Sequence, residues 1–284
     1  MTALHSPIEM IDTHQHLWMM SERAYDWIVP EYGPLFDDFG PERVAAEIVE
    51  AGVTGTVLVQ AADTYEDTFY MLSVAASTPT VLGVVAWAPL DRHDEARSAL
   101  DLYAASPYVK GVRCLTHTYA DPRWILGETV NRTLGLLAPR GLALDMVSVL
   151  DEHLETVAAV ADRHPELTVV LDHMAKPPIA SEGWEPWASL IAAAADRPNV
   201  VVKLSGLNTA SKPTWASADW QRYVDHVVDN FGASRVMLGS DWPVSILAGD
   251  FVGVWRAQRE VISTLSVDEQ DDILFRTARR VYAL

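Results

Sequence analysis

Apolar residues in this chain gather in eight short runs, separated by longer stretches whose apolar positions recur at helical spacing. The runs are Met10–His16, Val53–Gln60, Val81–Ala88, Val109–Leu115, Leu142–Val147, Leu167–Asp172, Val200–Ser205 and Val236–Asp241. They are rich in Val, Leu and Met and lack polar alternation, the pattern of parallel strands covered on both faces. The stretches between them carry helix-end signals. Pro41 at a first helical position opens one helix and Gly52 closes it. Asp121-Pro122 opens another that runs toward Gly141, and Asp151 is placed to cap Glu152–Arg163. Ser266 with Glu269 forms a capping box for the last helix, Val267–Tyr282. Strand then helix, eight times over, predicts an α/β chain folded as a (β/α)₈ TIM barrel, a single domain over residues 1–284. An open doubly wound sheet would usually show a Gly-rich turn after its first strand. Here that strand runs into His14-Gln15-His16-Leu17-Trp18 instead.

Composition narrows the partners. The 284 residues include 39 Asp and Glu against 21 Lys and Arg, a net charge of −18, which excludes broad electrostatic binding to nucleic acid or anionic membranes. A lone cysteine, Cys114, forms no internal disulfide, and no apolar stretch reaches the ~18 residues of a membrane span. Met1 to Glu9 shows no basic segment followed by an apolar one, so the expected location is cytoplasmic. The oligomeric state is not written in these patterns.

Four places carry chemistry. In Asp12-Thr13-His14-Gln15-His16 the two histidines stand two apart, on one face of a strand, spaced to chelate one divalent cation. The plainer reading is two ordinary histidines beside a loop. In Gly239-Ser240-Asp241-Trp242-Pro243 an apolar strand ends in a carboxylate that needs a cation, a histidine or a water if buried. A helix cap is the alternative, although the next helix starts nearer Asp250. His173 ends the sixth run. Arg113, in the fourth, either serves a carbonyl or carboxylate oxygen at the barrel mouth or pairs with a buried Asp such as Asp145. His117 lies just beyond it, and Lys203 is a further charge whose direction the sequence leaves open. His5, His93, His153, His164 and His226 read as solvated surface. Two aromatic loops, Trp18–Phe39 and the segment around Trp184–Trp187, are expected at the C-terminal face, where this architecture builds its sites.

Taken together, Ile11–Trp18, Gly111-Val112-Arg113, Val170–Pro177, Val202–Leu207 and Leu238–Val244 resemble the amidohydrolase superfamily. Within it they resemble the lactonase-like TIM-barrel hydrolases, of which L-fuconolactonase and L-rhamnonolactonase are typical. The resemblance spans nearly the whole chain. It implies a site built from His14, His16, His173 and Asp241, holding one divalent metal, zinc or manganese, or working without one. Two-metal relatives would carry a bridging lysine or carboxylate ending strand four and a histidine ending strand five. This chain has Arg113-Cys114 and Asp145-Met146-Val147 there, so two metals are not expected. The implied reaction is hydrolysis of a small sugar lactone, with Asp241 as general base, His14 and His16 with a bound cation, or the histidines and Arg113 without one, stabilising the oxyanion, and His173 holding the metal or the carbonyl oxygen. Trp18, Trp27, Trp87, His117 and Trp242, with Tyr32, are the expected contacts to the sugar ring, plain packing at the barrel mouth being the alternative for the aromatics. A decarboxylase, or a hydrolase of carboxylated pyrone-like lactones, is the alternative on the same barrel.

Overall fold

On the last four strands an apolar interior residue low in the sheet is followed two positions later by a polar one or a glycine. Ala143 is followed by Asp145, Val170 by Asp172, Val201 by Lys203, and Met237 by Gly239 and Asp241. Residues two apart share a face, so the interior divides into an apolar floor and a charged layer above it. The computed structural model, which describes residues 9–284, shows the strands that do this. They are β1 (Ile11–Gln15), β2 (Gly55–Val59), β3 (Val81–Ala86), β4 (Val109–Cys114), β5 (Ala143–Met146), β6 (Val169–Leu171), β7 (Val200–Leu204) and β8 (Val236–Leu238). All neighbours are parallel, in the order β1 to β8. The barrel closes where the Asp241 backbone N–H donates to His14 O at 2.8 Å and that of His16 to Trp242 O at 2.7 Å.

The principal helices are α1 (Ala45–Ala51), α2 (Tyr65–Ser77), α3 (His93–Tyr103), α4 (Glu128–Leu134), α5 (Asp151–Arg163), α6 (Trp187–Ala195), α7 (Ala218–Phe231), α8 (Phe251–Val261), α9 (Val267–Asp271) and α10 (Thr277–Tyr282). Outward strand residues such as Leu58, Val84, Val112, Leu144, Leu171, Val202 and Leu238 pack beneath this layer. Inward ones, Ile11, Val57, Val59, Val85, Ala143, Val170, Val201 and Met237, form a separate core sealed from below by Ala278 and Tyr282 of α10. Among the described residues no helix is long and apolar enough to cross a membrane.

Several helix ends differ from the sequence reading. Gly52 closes α1 in the left-handed conformation, but Pro41 opens a short 3₁₀ turn rather than the helix itself. The Asp121–Gly141 stretch breaks into a 3₁₀ turn, α4 and a second 3₁₀ turn, because Gly127, Gly135 and Pro139 interrupt it. Leu150, not Asp151, occupies the cap position of α5. Asp151 is the first helical residue, where its charge suits the helix dipole. The Ser266–Glu269 capping box forms, and the last helix continues through a π turn at Asp272–Arg276.

Candidate active site

The C-terminal ends of β1, β4, β6 and β8 bring His16, Arg113, His173 and Asp241 to the floor of one cavity, with His14 fully buried behind them. His14 Nε2 lies 3.1 Å from His16 Nε2. Asp241 Oδ1 stands 3.5 Å from His16 Nε2, 3.8 Å from His14 Nε2 and 3.9 Å from His173 Nε2. Three imidazoles thus turn the same nitrogen toward one carboxylate oxygen. Their other nitrogens are occupied. His16 Nδ1 donates to Val59 O at 2.8 Å, His173 Nδ1 meets Ser205 Oγ at 2.8 Å, and His14 Nδ1 is 3.2 Å from Asp172 Oδ1. Such outer partners fix ring orientation; the His16 Nδ1–H donated to Val59 leaves that ring's Nε2 lone pair facing inward, and Arg113 Nη1 lies 3.3 Å from His14 Nε2.

Two glycines make room for this. A Cβ on Gly239 would stand 2.6 Å from the His14 Cβ. Gly206, at φ +62°, passes so close that a Cβ would lie 2.9 Å from Asp241 Oδ2 and 3.0 Å from His173 Nδ1.

Burial sets the protonation states. It lowers His16, lowers His14 well below the usual imidazole range against the pull of Asp172, and lowers His173 to about 4. All three are neutral at pH 7. Burial alone would raise Asp241. The His173 ring, the hydrogen bond from His16 and the cations nearby outweigh it and hold the carboxyl well below the usual carboxylate range. Asp241 is therefore an anion.

A buried ion network underlies this floor. Lys203 points inward, fully buried, with Nζ 2.5 Å from Asp145 Oδ2 and 3.2 Å from Asp172 Oδ1. Tyr282 donates to Asp145 Oδ2 at 2.8 Å. Arg113 lines the cavity and also pairs with a buried carboxylate, but that partner is Asp172, at 3.0 Å, rather than Asp145. Its other nitrogen donates to Gln60 O at 2.5 Å. Asp172, gripped by Lys203, Arg113 and His14, is the key residue the sequence reading passed over. Its signal was its place two residues after Val170, on the interior face.

The cavity has a volume of about 240 Å³. Above the polar floor its walls are Trp27, Tyr32, Leu35, Leu115, Val147, Val149, Val244 and Leu247, with His117 and Lys176. Of the aromatic residues expected to meet a sugar ring, Trp27 and Tyr32 are therefore at the mouth. Trp18, Trp87 and Trp242 are buried elsewhere: Trp18 packs on Trp27 and Phe39, Trp242 on Phe39, and Trp87 on Tyr65. Trp184 and Trp187 pack against Tyr223 and His226 of α7 and do not line the cavity. His153 is buried and accepts from the Val149 N–H at 3.3 Å, contrary to a surface role, because the first turn of α5 folds it inward. His93, His164 and His226 are part-buried and hydrogen-bonded to Thr133, Asn131 and Ala188. His5 lies outside the described residues.

The sequence pattern of the amidohydrolase family matches residues 11–284. Over 249 residues the chain is 40% identical to an L-fucono-1,5-lactonase of Burkholderia ambifaria, covering 87% of this chain and 85% of that protein. Over 293 residues it is 29% identical to an L-fucono-1,5-lactonase of Burkholderia multivorans, covering 96% of each. A crystal structure of an amidohydrolase from Burkholderia multivorans with bound zinc superimposes with a TM-score of 0.89 at 28% identity, covering 97% of this chain and 99% of that one.

Proposed function

The chain belongs to the amidohydrolase family and is a lactone-opening hydrolase, and from that premise we propose that it hydrolyses neutral sugar lactones, with L-fucono-1,5-lactone the first candidate. The observation that carries this reading is an ionised, buried Asp241 facing three neutral imidazoles at the floor of a cavity sized for one small ring.

The donor set fits one divalent cation. His14, His16 and Asp241 form one compact donor group, and His173, whose Nε2 lies 3.9 Å from the same Asp241 oxygen, would complete the set that holds it. Asp172 also lies near His14 and His173, but Lys203 and Arg113 already claim its oxygens. The chemistry of the set suits zinc or manganese, in keeping with the zinc in the Burkholderia multivorans structure. When bound, such a cation supplies Lewis-acid polarisation of a carbonyl and a more acidic water.

The protein groups account for the proton movements. Water attacks the lactone carbonyl carbon and yields its proton to the Asp241 carboxylate. Arg113, whose terminal nitrogens hold Asp172 and Gln60 while Nε has no partner among the described residues, lends its positive charge to the oxyanion that develops there. Collapse of the tetrahedral intermediate breaks the ring C–O bond, and protonated Asp241 returns its proton to the departing alkoxide. One water is consumed, one hydroxy acid is formed, and Asp241 ends as it began. Trp27 and Tyr32 offer ring faces to the apolar side of the sugar, and Leu115, Val147, Val149 and Leu247 exclude water above it.

Carboxylated lactones are the second reading, and the charges of the mouth weigh against it. Lys203 is buried beneath the floor, Arg123 pairs with Glu155, and Arg23 pairs with Glu22. Among the described residues the cavity wall offers Lys176 and Arg113, the latter already paired with Asp172, and no arginine cluster to receive two carboxylates. Because ring opening releases an acid, a pH-indicator assay over a panel of aldonolactones tests the proposal. Acid release from neutral 1,4- or 1,5-lactones is expected. Inactivity on all of them would contradict it.

A further inference from the structure

The chain contains four lysines, and three of them have partners. Lys203 pairs with Asp145, Lys212 with Glu182, and Lys110 donates to Ala283 O at 3.0 Å. Lys176 lines the cavity, half-buried, and among the described residues its ammonium makes no ion pair and no hydrogen bond. In a chain with 39 acidic residues, a cation left unpaired beside a buried carboxylate is unusual. Arg113, the other cation of the cavity, already has its guanidinium engaged by Asp172 and Gln60.

The backbone that presents Lys176 is equally unusual. His173, Met174, Ala175 and Lys176 have φ of 55°, 51°, 55° and 53°, four consecutive non-glycine residues in the left-handed region. Each such residue costs roughly 1–2 kcal/mol, and left-handed residues ordinarily occur singly. The surroundings hold the turn. Lys176 N–H donates to His173 O at 2.8 Å, the Trp187 indole donates to Met174 O at 2.7 Å, and Pro177 follows at once. Continuing the turn carries the chain around so that its first and last side chains, His173 and Lys176, line the same cavity. Strain of this kind collects where a protein fixes functional groups.

The geometry points to Lys176 as a substrate-binding residue, whose ammonium takes an oxygen of the lactone and then pairs with the carboxylate of the ring-opened product. This rests on the lactonase reading above. A neutral lactone offers an acceptor oxygen, and the aldonate offers a full charge, so the same lysine grips the product more firmly than the substrate. No bond is made or broken at Lys176.

The test uses the whole protein, L-fucono-1,5-lactone as substrate and L-fuconate as inhibitor, with Lys176→Met and Lys176→Arg. Lys176→Met removes the charge and keeps the length. It is expected to lower kcat/KM about 10- to 100-fold, the usual scale for a hydrogen bond to a charged group, with much of the loss in KM. Its inhibition constant for L-fuconate is expected to rise at least ~10-fold. Lys176→Arg, which restores the charge, should recover most of both. A purely structural role would lower the melting temperature and leave the fuconate constant in the active fraction unchanged. An active wild type whose Lys176→Met variant keeps kcat/KM and fuconate inhibition within threefold would overturn this inference alone. A wild type inactive on every neutral lactone would overturn the lactonase reading and this inference with it.

Discussion

At the scale of single residues, the site depends on which side chains the strands aim inward. The two-residue spacing of His14 and His16, and the carboxylate ending the β8 run, were legible because strand periodicity alone puts them on an interior face. The partners were not. Arg113 meets Asp172 across 59 positions of sequence and Lys203 meets Asp145 across 58, and no local pattern encodes such pairs. The same limit applied to the aromatics, where strand-end position did not separate Trp27 at the mouth from Trp18 and Trp242 in the core. Asp241→Asn keeps the shape and removes the base. It is expected to lower kcat at least ~10²-fold with the far-UV spectrum and melting nearly unchanged, and retention of a tenth or more of wild-type kcat would take Asp241 out of the mechanism. Metal content belongs to this scale as well. With Arg113 where a bridging ligand would stand, elemental analysis of gently purified protein is expected to find no more than one divalent ion per chain, and two equivalents would contradict the ligand assignment.

At the scale of elements, the join between β2 and α2 supports the mouth. Asp67, in the first turn of α2, accepts from Ala61 N at 2.8 Å and Ala62 N at 3.3 Å, and Ala61 O in turn receives the Trp27 indole at 2.7 Å. Burial raises Asp67 from 3.8 to about 6. A carboxyl whose folded value lies above its unfolded one stabilises the protein most below pH ~4, and that contribution fades as pH rises through ~6. Asp67→Asn does not titrate. Each pH step between the unfolded and folded values is worth about 1.4 kcal/mol. The stability of the wild type relative to this variant is therefore expected to fall by about 2–3 kcal/mol between pH ~4 and ~7. Denaturant unfolding of both proteins across that range measures it, and a constant difference would show that Asp67 is not held against its charge. Element ends were legible where one residue decides them, as at Gly52 and at the Ser266–Glu269 box. They were not where competing breakers fall close together, as between Asp121 and Gly141.

At the scale of the whole molecule, the barrel was legible from the count of apolar runs, because eight buried parallel strands leave few other architectures. The plug was not. Tyr282 reaches the interior from the far end of the chain, and only the closed barrel shows that it grips Asp145 beneath the site. The charge balance acts at this scale too. A chain of net −18 whose cavity presents, among the described residues, one engaged guanidinium and one free ammonium suits a neutral ring better than a doubly charged one. The most direct measurement is kcat/KM for L-fucono-1,5-lactone beside a pyrone dicarboxylate lactone, in the same assay of acid release. The neutral lactone is expected to be favoured at least ~10-fold, about 1.4 kcal/mol in transition-state binding, and a preference for the dicarboxylate would contradict the account.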